Sequence, residues 1–120
     1  MKSILDYETV SLIDEEDAIE IIEENYSSIQ LNVSEIARIL GVSNVYLSKC
    51  FKQFANRNIS DYLCSYRLEK AKLMLASEMT VNEICEACGF GSLRTFMRDF
   101  KSSEGLTPGQ YRSTLHKEEV

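Results

Sequence analysis

Apolar residues recur along this chain with the three- to four-residue spacing of amphipathic helices, and residues typical of helix boundaries separate the runs. Ser, Thr or Asn precedes most runs, where its side chain can cap a helix N-terminus. Gly41, Gly89 and Gly105 follow runs, where glycine permits the left-handed backbone of a helix end, and Asn56 has an equivalent position. The Val- and Ile-rich pieces fit the same period, so no strand is indicated. The pattern predicts an all-α fold of seven helices.

The first predicted helix begins after the candidate cap Asp14, has acids in its first turn and ends near Ser28. The next five helices are predicted at residues 33–40, 44–55, 59–76, 81–88 and 93–103, behind the candidate caps Asn32, Ser43, Asn58, Thr80 and Ser92. Glu35 and Glu83 occupy the reciprocal position of a capping box in two of them. The last helix starts after Thr107, with a proline in its first turn, where a missing N–H has no cost.

Residues 36–62 and residues 84–111 share the same pattern of helix boundaries and apolar positions. The matching residues are Ile36 and Gly41 with Ile84 and Gly89, at an offset of 48, and Leu47, Phe51, Lys52, Asn56 and Tyr62 with Phe96, Phe100, Lys101, Gly105 and Tyr111, at an offset of 49. The long helix between the repeats is apolar on more than one side, as expected for a helix that packs on two partners. The chain is therefore predicted to contain two helix-turn-helix subdomains joined by a linker helix.

This repeat predicts the domain organisation of the chain. We expect a leader or linker remnant at 1–13, a first helix-turn-helix subdomain at 14–57, a linker helix at 58–76, a second subdomain at 77–115 and a solvated tail at 116–120. Four aromatic residues are assigned to the core of these subdomains: Tyr46, Phe54, Tyr66 and Phe90.

The formal net charge of −6 at first argues against a nucleic-acid partner, but the acids are concentrated near the N-terminus. Residues 1–26 hold nine acids and one base, a balance of −8, so residues 27–120 hold 10 acids and 12 bases, a balance of +2. A mildly basic body is compatible with DNA, because the charge on the contacting face matters more than the sum. No apolar run reaches 18 residues and the N-terminus has no signal-peptide pattern, so we expect a soluble cytoplasmic protein.

Four cysteines raise the question of a metal or redox site: Cys50, Cys64, Cys85 and Cys88. Structural zinc usually requires two cysteine pairs, or one pair with two nearby histidines, and His116 is the only histidine. All four cysteines fall at or near apolar positions of predicted helices, where a free thiol behaves as a small hydrophobe. We therefore assign them to the core and expect no metal ion.

Catalytic patterns are absent from the sequence. No nucleophile–base arrangement, glycine-rich phosphate loop or pair of acids in a predicted cleft stands out. The acids of residues 14–24 are interpreted as a helix start and a solvated face. We expect a protein that is not an enzyme and needs no cofactor.

With these residues placed, the chain resembles the DNA-binding domain of the AraC/XylS family of bacterial transcription regulators. The second repeat matches the family signature in Ala87, Gly89, Phe90, Phe96, Arg98, Phe100, Lys101, Gly105, Thr107, Pro108, Tyr111 and Arg112. The first repeat matches in Ala37, Gly41, Val42, Ser43, Tyr46, Leu47, Ser48, Phe51 and Lys52, and the linker in Arg67 and Ala71. The resemblance covers residues 15–115. It departs at Thr95, where many members have Tyr, and at the less regular Arg57, Asn58 and Ile59.

The resemblance implies a sequence-specific DNA-binding domain of a transcription regulator. In a helix-turn-helix, the second helix enters the major groove and presents its N-terminal half to base edges. The linker of about 17 residues would span roughly 26 Å, which can set two reading helices about one DNA turn, roughly 34 Å, apart. We therefore expect one monomer to read two consecutive major grooves at a site that need not be palindromic.

Outward-facing residues of the two reading helices are the candidates for base contacts: Asn44, Val45, Ser48, Lys49, Leu93, Arg94, Thr95, Met97 and Arg98. Asn suits adenine, Arg and Lys suit guanine, and Val can pack on a thymine methyl group. The candidates for phosphate contacts are Asn32, Ser43, Lys52, Thr80, Ser92 and Lys101, at helix starts or on the exposed face. Met97 could equally belong to the core, and Arg67 is expected to brace the linker helix.

Double-stranded DNA and RNA polymerase are the expected partners, with no membrane partner. Many members of the family carry a sensing domain, and 120 residues leave no room for one, so an effector would bind a domain absent from this chain. The unpatterned leader favours an excised C-terminal domain.

Two alternatives stay open: a protein-interaction domain that docks on polymerase or a partner regulator with weak DNA binding, and a zinc or redox sensor using Cys85 and Cys88.

Overall fold

The computed structural model describes residues 15–119, with side chains described for residues 16–115, and all regular structure in that part of the chain is helical. The seven helices are α1 Glu15–Asn25, α2 Val33–Leu40, α3 Asn44–Ala55, α4 Ile59–Met74, α5 Val81–Ala87, α6 Leu93–Glu104 and α7 Pro108–Glu119. The all-α prediction is confirmed. The leader at 1–13 and the predicted cap Asp14 lie outside the described residues.

Helix boundaries agree with prediction to within one or two residues at most ends. The α4 helix ends at Met74, two residues before the predicted end, because the backbone tightens there. The N–H and the hydroxyl of Ser77 both donate to the Met74 carbonyl, at 3.0 and 2.6 Å. The α7 helix is longer than predicted: it runs to Glu119, so residues 116–119 continue a helix where a solvated tail was expected.

Caps define most helix ends, as the sequence predicts. Five predicted N-caps accept a hydrogen bond from the backbone N–H three residues later: Asn32, Ser43, Thr80, Ser92 and Thr107. Three helices end in left-handed residues: Gly41 at φ 73°, Asn56 at φ 58° and Gly105 at φ 79°. Asn is the non-glycine residue that tolerates this backbone best, so the correspondence of Asn56 with Gly105 has a physical basis.

The capping-box bond predicted for Glu35 is wrong. Its carboxylate bonds with the guanidinium of Arg38 on the same helix, and this hydrogen bond lowers the pKa of Glu35. A complete box does form at Thr80, as predicted. A second, unpredicted box joins Thr107 and Gln110, whose N–H groups donate to each other's side-chain oxygens at 2.9 and 3.2 Å.

The described residues form two compact units, the first of which comprises residues 15–25 and 31–63. Within it, α1 packs on both α2 and α3, and α2 packs on α3. The buried apolar residues are Ala18, Ile22, Leu31, Ile36, Ala37, Leu47, Phe51, Ile59 and Leu63. The rings of Phe51 and Tyr62 meet edge to face at 5.4 Å. This core fixes which side of α3 faces outward.

Phe54 is a wrong core prediction, because 53% of this residue is exposed. It lies on the same stripe of α3 as Leu47 but in the last turn of the helix, where the core residues described above no longer cover it. Of the other aromatic residues assigned to the core, Phe90 is buried, and Tyr46 and Tyr66 are half-buried.

The second unit comprises residues 26–30 and 64–119. Its buried cluster contains Leu68, Ala71, Leu75, Ile84, Cys85, Cys88, Phe90, Phe96 and Phe100. Aromatic rings make up much of it, with Phe96 between Phe90 at 4.8 Å and Phe100 at 5.9 Å, measured between ring centroids. The α6 helix packs on α5 and α7, so its opposite side faces outward.

The segment 26–30 is held in the second unit by Arg67. The guanidinium of Arg67 donates to the carbonyls of Tyr26 and Ser28, each at 2.9 Å, and its burial lowers the pKa of Arg67. The bracing role expected of Arg67 is confirmed by these bonds. Gly89 approaches the same carbonyl of Tyr26, which leaves no space for a side chain at position 89.

The core assignment of the cysteines is confirmed for Cys85 and Cys88. Cys85 and Cys88 are buried, and Cys50 and Cys64 are half-buried. Burial raises the pKa of the Cys88 thiol to about 11 and also raises the pKa of the Cys85 thiol, so both remain protonated at neutral pH. Within residues 16–115, no group of three or more acidic, cysteine or histidine side chains is arranged to hold a metal ion.

Candidate nucleic-acid interface

The outward face of α3 carries the first set of predicted base-reading residues. Burial of Leu47 and Phe51 turns the other side of the helix to solvent. The four candidates on this face are all exposed: Asn44, Val45, Ser48 and Lys49. Together with Lys52 and Gln53 they border one continuous surface. Val45, at 72% exposure, is an apolar residue that nothing in the described part of its unit covers.

Asn44 is tied to the preceding helix by a contact that sequence reasoning missed. Its side-chain amide donates to the hydroxyl of Ser34 in α2 at 2.7 Å. The carbonyl oxygen and the second N–H of Asn44 remain free of this bond. The contact therefore orients the Asn44 side chain and leaves one acceptor and one donor of the amide available for another partner.

The second set of candidates lies at the start of α6. Burial of Phe96 and Phe100 places Arg94 and Arg98 on the solvent side, one helical turn apart, and Leu93 is 41% exposed. Thr95 and Met97 are half-buried. Thr95 also belongs to the cap, since its N–H donates to the Ser92 hydroxyl at 3.1 Å and the two hydroxyls are bonded at 2.9 Å. Both residues therefore border the exposed row.

The two arginines of this row differ in their surroundings. The Nε of Arg98 bonds with a carboxylate oxygen of Asp99 at 3.2 Å, while 72% of the Arg98 side chain stays exposed. Arg94 forms no ion pair with any described residue. The pairing of Arg98 with its chain neighbour has no motif that would have predicted it.

The predicted phosphate-contact residues at helix starts all serve as caps. The side-chain oxygens of Asn32, Ser43, Thr80 and Ser92 accept bonds from their own helices. The hydroxyl of Ser92 also donates to Thr95, and that of Thr80 bonds with Glu83. A phosphate could use the side-chain hydrogens of Asn32 and Ser43 and nearby backbone N–H groups. Thr80 is the least favourable of the four. Its N–H donates to the Glu83 carboxylate at 2.8 Å, which fixes a negative charge where a phosphate would sit.

Lys52 and Lys101 occupy equivalent positions in the last turns of α3 and α6, and both are exposed. They are the charged members of the phosphate set. Long flexible ammonium side chains of this kind act on phosphates as point charges and carry no base information.

The charges of the individual helices explain how an acidic chain can have basic contact faces. The α3 helix contains two lysines and no acid, and α6 contains three bases and two acids. The α1 helix contains six acids and no base. The formal net charge of −6 is therefore a property of the N-terminal region, while both candidate reading helices have positive balances.

Known proteins resemble this chain in sequence and fold. A family model described as a helix-turn-helix domain matches residues 36–114. The uncharacterized HTH-type transcriptional regulator YtdP of Bacillus subtilis is 41% identical over 95 residues, which are 78% of this chain and 12% of that protein. The C-terminal domain of the two-component response regulator yesN from Fusobacterium nucleatum is 40% identical, with a TM-score of 0.77, covering 79% of this chain and 93% of that structure.

A third similarity is to a solved transcriptional regulator from Chromobacterium violaceum described as AraC-type DNA-binding domain-containing. It is 30% identical, with a TM-score of 0.71, covering 81% of this chain and 87% of that structure. The first curated relatives are longer proteins, of which the matched part is 12% to 37%. None of the helices described between residues 15 and 119 is long and apolar enough to cross a membrane. The chain belongs to the AraC/XylS family of helix-turn-helix transcription regulators, as a DNA-binding domain.

Proposed function

We propose that this domain binds duplex DNA sequence-specifically, with α3 and α6 as its two reading helices. The observation that carries the proposal is that each helix-turn-helix buries the inner stripe of its second helix and leaves a row of hydrogen-bonding side chains exposed on the other side. That row is the part of a helix that reaches base edges in the major groove.

Base recognition is assigned to the exposed rows and their borders. On α3 these are Asn44, Val45, Ser48 and Lys49, and on α6 they are Leu93, Arg94, Thr95, Met97 and Arg98. We assign guanine contacts to Arg94 and Arg98, an adenine contact to Asn44 and a thymine-methyl contact to Val45. The two helices carry different side chains, so the two half-sites should differ in sequence.

Phosphate contacts are assigned to residues at helix starts or in the last turns of the two reading helices, with Thr80 the least favourable: Asn32, Ser43, Lys52, Thr80, Ser92 and Lys101. They would set the register of each helix in its groove without selecting a sequence. Because one chain carries both units, we propose a site of two half-sites, in consecutive major grooves, that needs no palindrome. We propose the subdomain organisation 14–57, 58–76 and 77–115, in which each helix-turn-helix subdomain carries one reading helix, although residues 26–30 group with the second unit.

The relatives suggest the wider role of the parent protein. We propose a regulator that acts on transcription in the cytoplasm through contacts with RNA polymerase, with its effector bound elsewhere in the protein. The domain itself would have no enzymatic activity. Support comes from the names of its relatives as transcriptional regulators and from the fold.

Selection of bound sites from random duplex DNA, followed by affinity measurements, tests this function. Arg94→Ala with Arg98→Ala should abolish preference at one half of the selected site, and Asn44→Ala should relax preference in the other half. The matched control Lys101→Ala should weaken binding to all sequences alike, because a phosphate contact carries no base preference.

Salt dependence gives a second readout. The logarithm of the affinity should fall steeply with the logarithm of the salt concentration, and Lys101→Ala should reduce that slope by about one unit. A flat salt dependence, or a selection that recovers no motif while a protein partner binds tightly, would instead support a protein-interaction domain.

A further inference from the structure

Asp99 occupies an unusual place for an acid, on a reading helix whose exposed row is basic. Only 27% of its side chain is exposed. One carboxylate oxygen accepts from the Nε of Arg98 at 3.2 Å. The other accepts from the thiol of Cys64, a residue of α4 in the same unit, at 3.6 Å. The carboxylate therefore links α4, through the Cys64 thiol, to the exposed Arg98 side chain.

We propose that Asp99 is a positioning residue that sets the base specificity of Arg98. The inference rests on the proposed function, in which Arg98 reads a base edge. Arg98 is long and 72% exposed, so without a partner it would lose much rotamer freedom on binding. A carboxylate that already holds its Nε lowers that loss and restricts where the guanidinium can point.

The atoms used by this pairing are compatible with reading guanine. A guanidinium has five N–H donors, and the bond to Asp99 uses the one on Nε. The four donors on the two terminal nitrogens stay available. A bidentate contact with the O6 and N7 acceptors of guanine needs only two of them, so Asp99 and guanine can be bound together.

Arg94 provides the contrast within the same helix. It lies one turn before Arg98 on the exposed row and forms no ion pair with a described residue. An unheld arginine can adjust between guanine and neighbouring phosphates, and it should tolerate more sequences. We therefore expect stricter selection at the base pair contacted by Arg98 than at the one contacted by Arg94.

Two simpler roles for Asp99 predict different behaviour. If the carboxylate only repels DNA, its removal should raise affinity for every sequence by the same factor. If it only stabilises the fold through Cys64, its removal should lower affinity for every sequence together with thermal stability. A positioning role alone changes the ratio between sequences at one base pair.

The experiment measures the affinities of the whole chain for its selected duplex and for duplexes substituted at each position. Arg98→Ala first identifies the base pair whose preference depends on Arg98. Asp99→Ala should then reduce discrimination at that pair about threefold to tenfold, a fraction of what a bidentate arginine–guanine contact supplies. Asp99→Asn keeps an acceptor for Nε and should retain part of the discrimination. Discrimination at the Arg94 base pair should not change.

A double-mutant cycle completes the test. In an Arg98→Ala background, Asp99→Ala should have no further effect on discrimination, because the group that it positions is absent. Equal effects of Asp99→Ala on all sequences, in either direction, would overturn the proposal. If Arg98→Ala itself changes no base preference, the proposed reading face has failed, and if only Asp99→Ala is silent, the positioning role alone has failed.

Discussion

A β-carbon at position 89 would lie 2.2 Å from the carbonyl oxygen of Tyr26, far inside van der Waals contact. In the turn of the second helix-turn-helix, the backbone at Gly89 therefore lies in direct contact with the backbone at Tyr26. Gly89 also has a φ of +82°, which L-residues other than Asn rarely adopt. Two independent requirements for glycine meet at one position.

Gly89→Ala should destabilise the domain more than any other glycine substitution in this unit. The left-handed backbone alone costs about 1–2 kcal/mol for alanine, and the clash must be relieved by moving a backbone carbonyl that also accepts from Arg67. Gly105→Ala is the matched control, because its φ is +79° and a β-carbon there meets nothing within 4 Å. Urea unfolding that gives equal losses for the two variants would contradict the role of the Tyr26 contact.

The capping box at Thr80 should make stability depend on pH. The hydrogen bond from the Thr80 backbone N–H lowers the pKa of Glu83, followed by the bond with the Thr80 side chain. A lowered folded-state pKa means that the stabilisation is present above the ordinary carboxyl pKa and is lost as pH falls through the lowered value.

Melting temperatures from neutral to acidic pH should therefore fall less for Glu83→Gln than for the unaltered protein. The amide keeps an acceptor for the Thr80 N–H but does not titrate. The box of Thr107 and Gln110 is a natural control, since it has no titratable group. The difference that Gln110→Ala makes to the melting temperature should not vary with pH.

Thiol reactivity should separate the cysteines by burial. The Cys88 pKa of about 11 leaves little thiolate at pH 8, and Cys85 is also buried with a raised pKa. Half-buried Cys50 and Cys64 should react first with an alkylating reagent, and all four should react quickly in denaturant. Mass spectrometry of peptides at successive times measures the order. Early labelling of Cys88 in the folded protein would contradict the burial of its side chain.

Ser34→Ala should affect recognition although Ser34 is not a predicted contact. The variant removes the hydroxyl that accepts from Asn44, so the Asn44 amide loses its orientation. We expect preference at the adenine assigned to Asn44 to weaken by about twofold to fivefold, below the full effect of losing a bidentate pair. Asn44→Ala in the same binding assay sets the upper limit, and a Ser34→Ala effect beyond it would indicate a direct contact of Ser34 with DNA.

Features encoded within a few neighbouring residues were predictable from the sequence. Caps such as Ser43 and Thr80 and the left-handed exit at Asn56 depend on local hydrogen bonds and backbone sterics, and the repeat placed two similar units along the chain. The seven helices and the family follow from this level of description.

Features that depend on neighbours in space were missed. The bond between Ser34 and Asn44 spans ten residues and that between Cys64 and Asp99 spans 35, and neither leaves a pattern in the chain. Phe54 has the period of a core residue, but whether anything covers the end of α3 is a tertiary property. The Glu35 carboxylate was expected to accept from the backbone N–H of its N-cap, but it bonds with the Arg38 guanidinium, because a hydrogen bond between two charged groups is stronger.

The segment 26–30 has a practical consequence for anyone who would cut this protein into pieces. Tyr26–Gln30 belongs to the second unit, the following residues Leu31–Leu63 belong to the first, and the rest of the second unit begins at Cys64. A fragment that starts at Cys64 would look like a complete helix-turn-helix in the sequence. Such a fragment would nevertheless lack the Tyr26 and Ser28 carbonyls that accept from the Arg67 guanidinium, and the Tyr26 backbone that Gly89 contacts. The smallest fragment that keeps the second helix-turn-helix intact is therefore not a contiguous stretch of sequence.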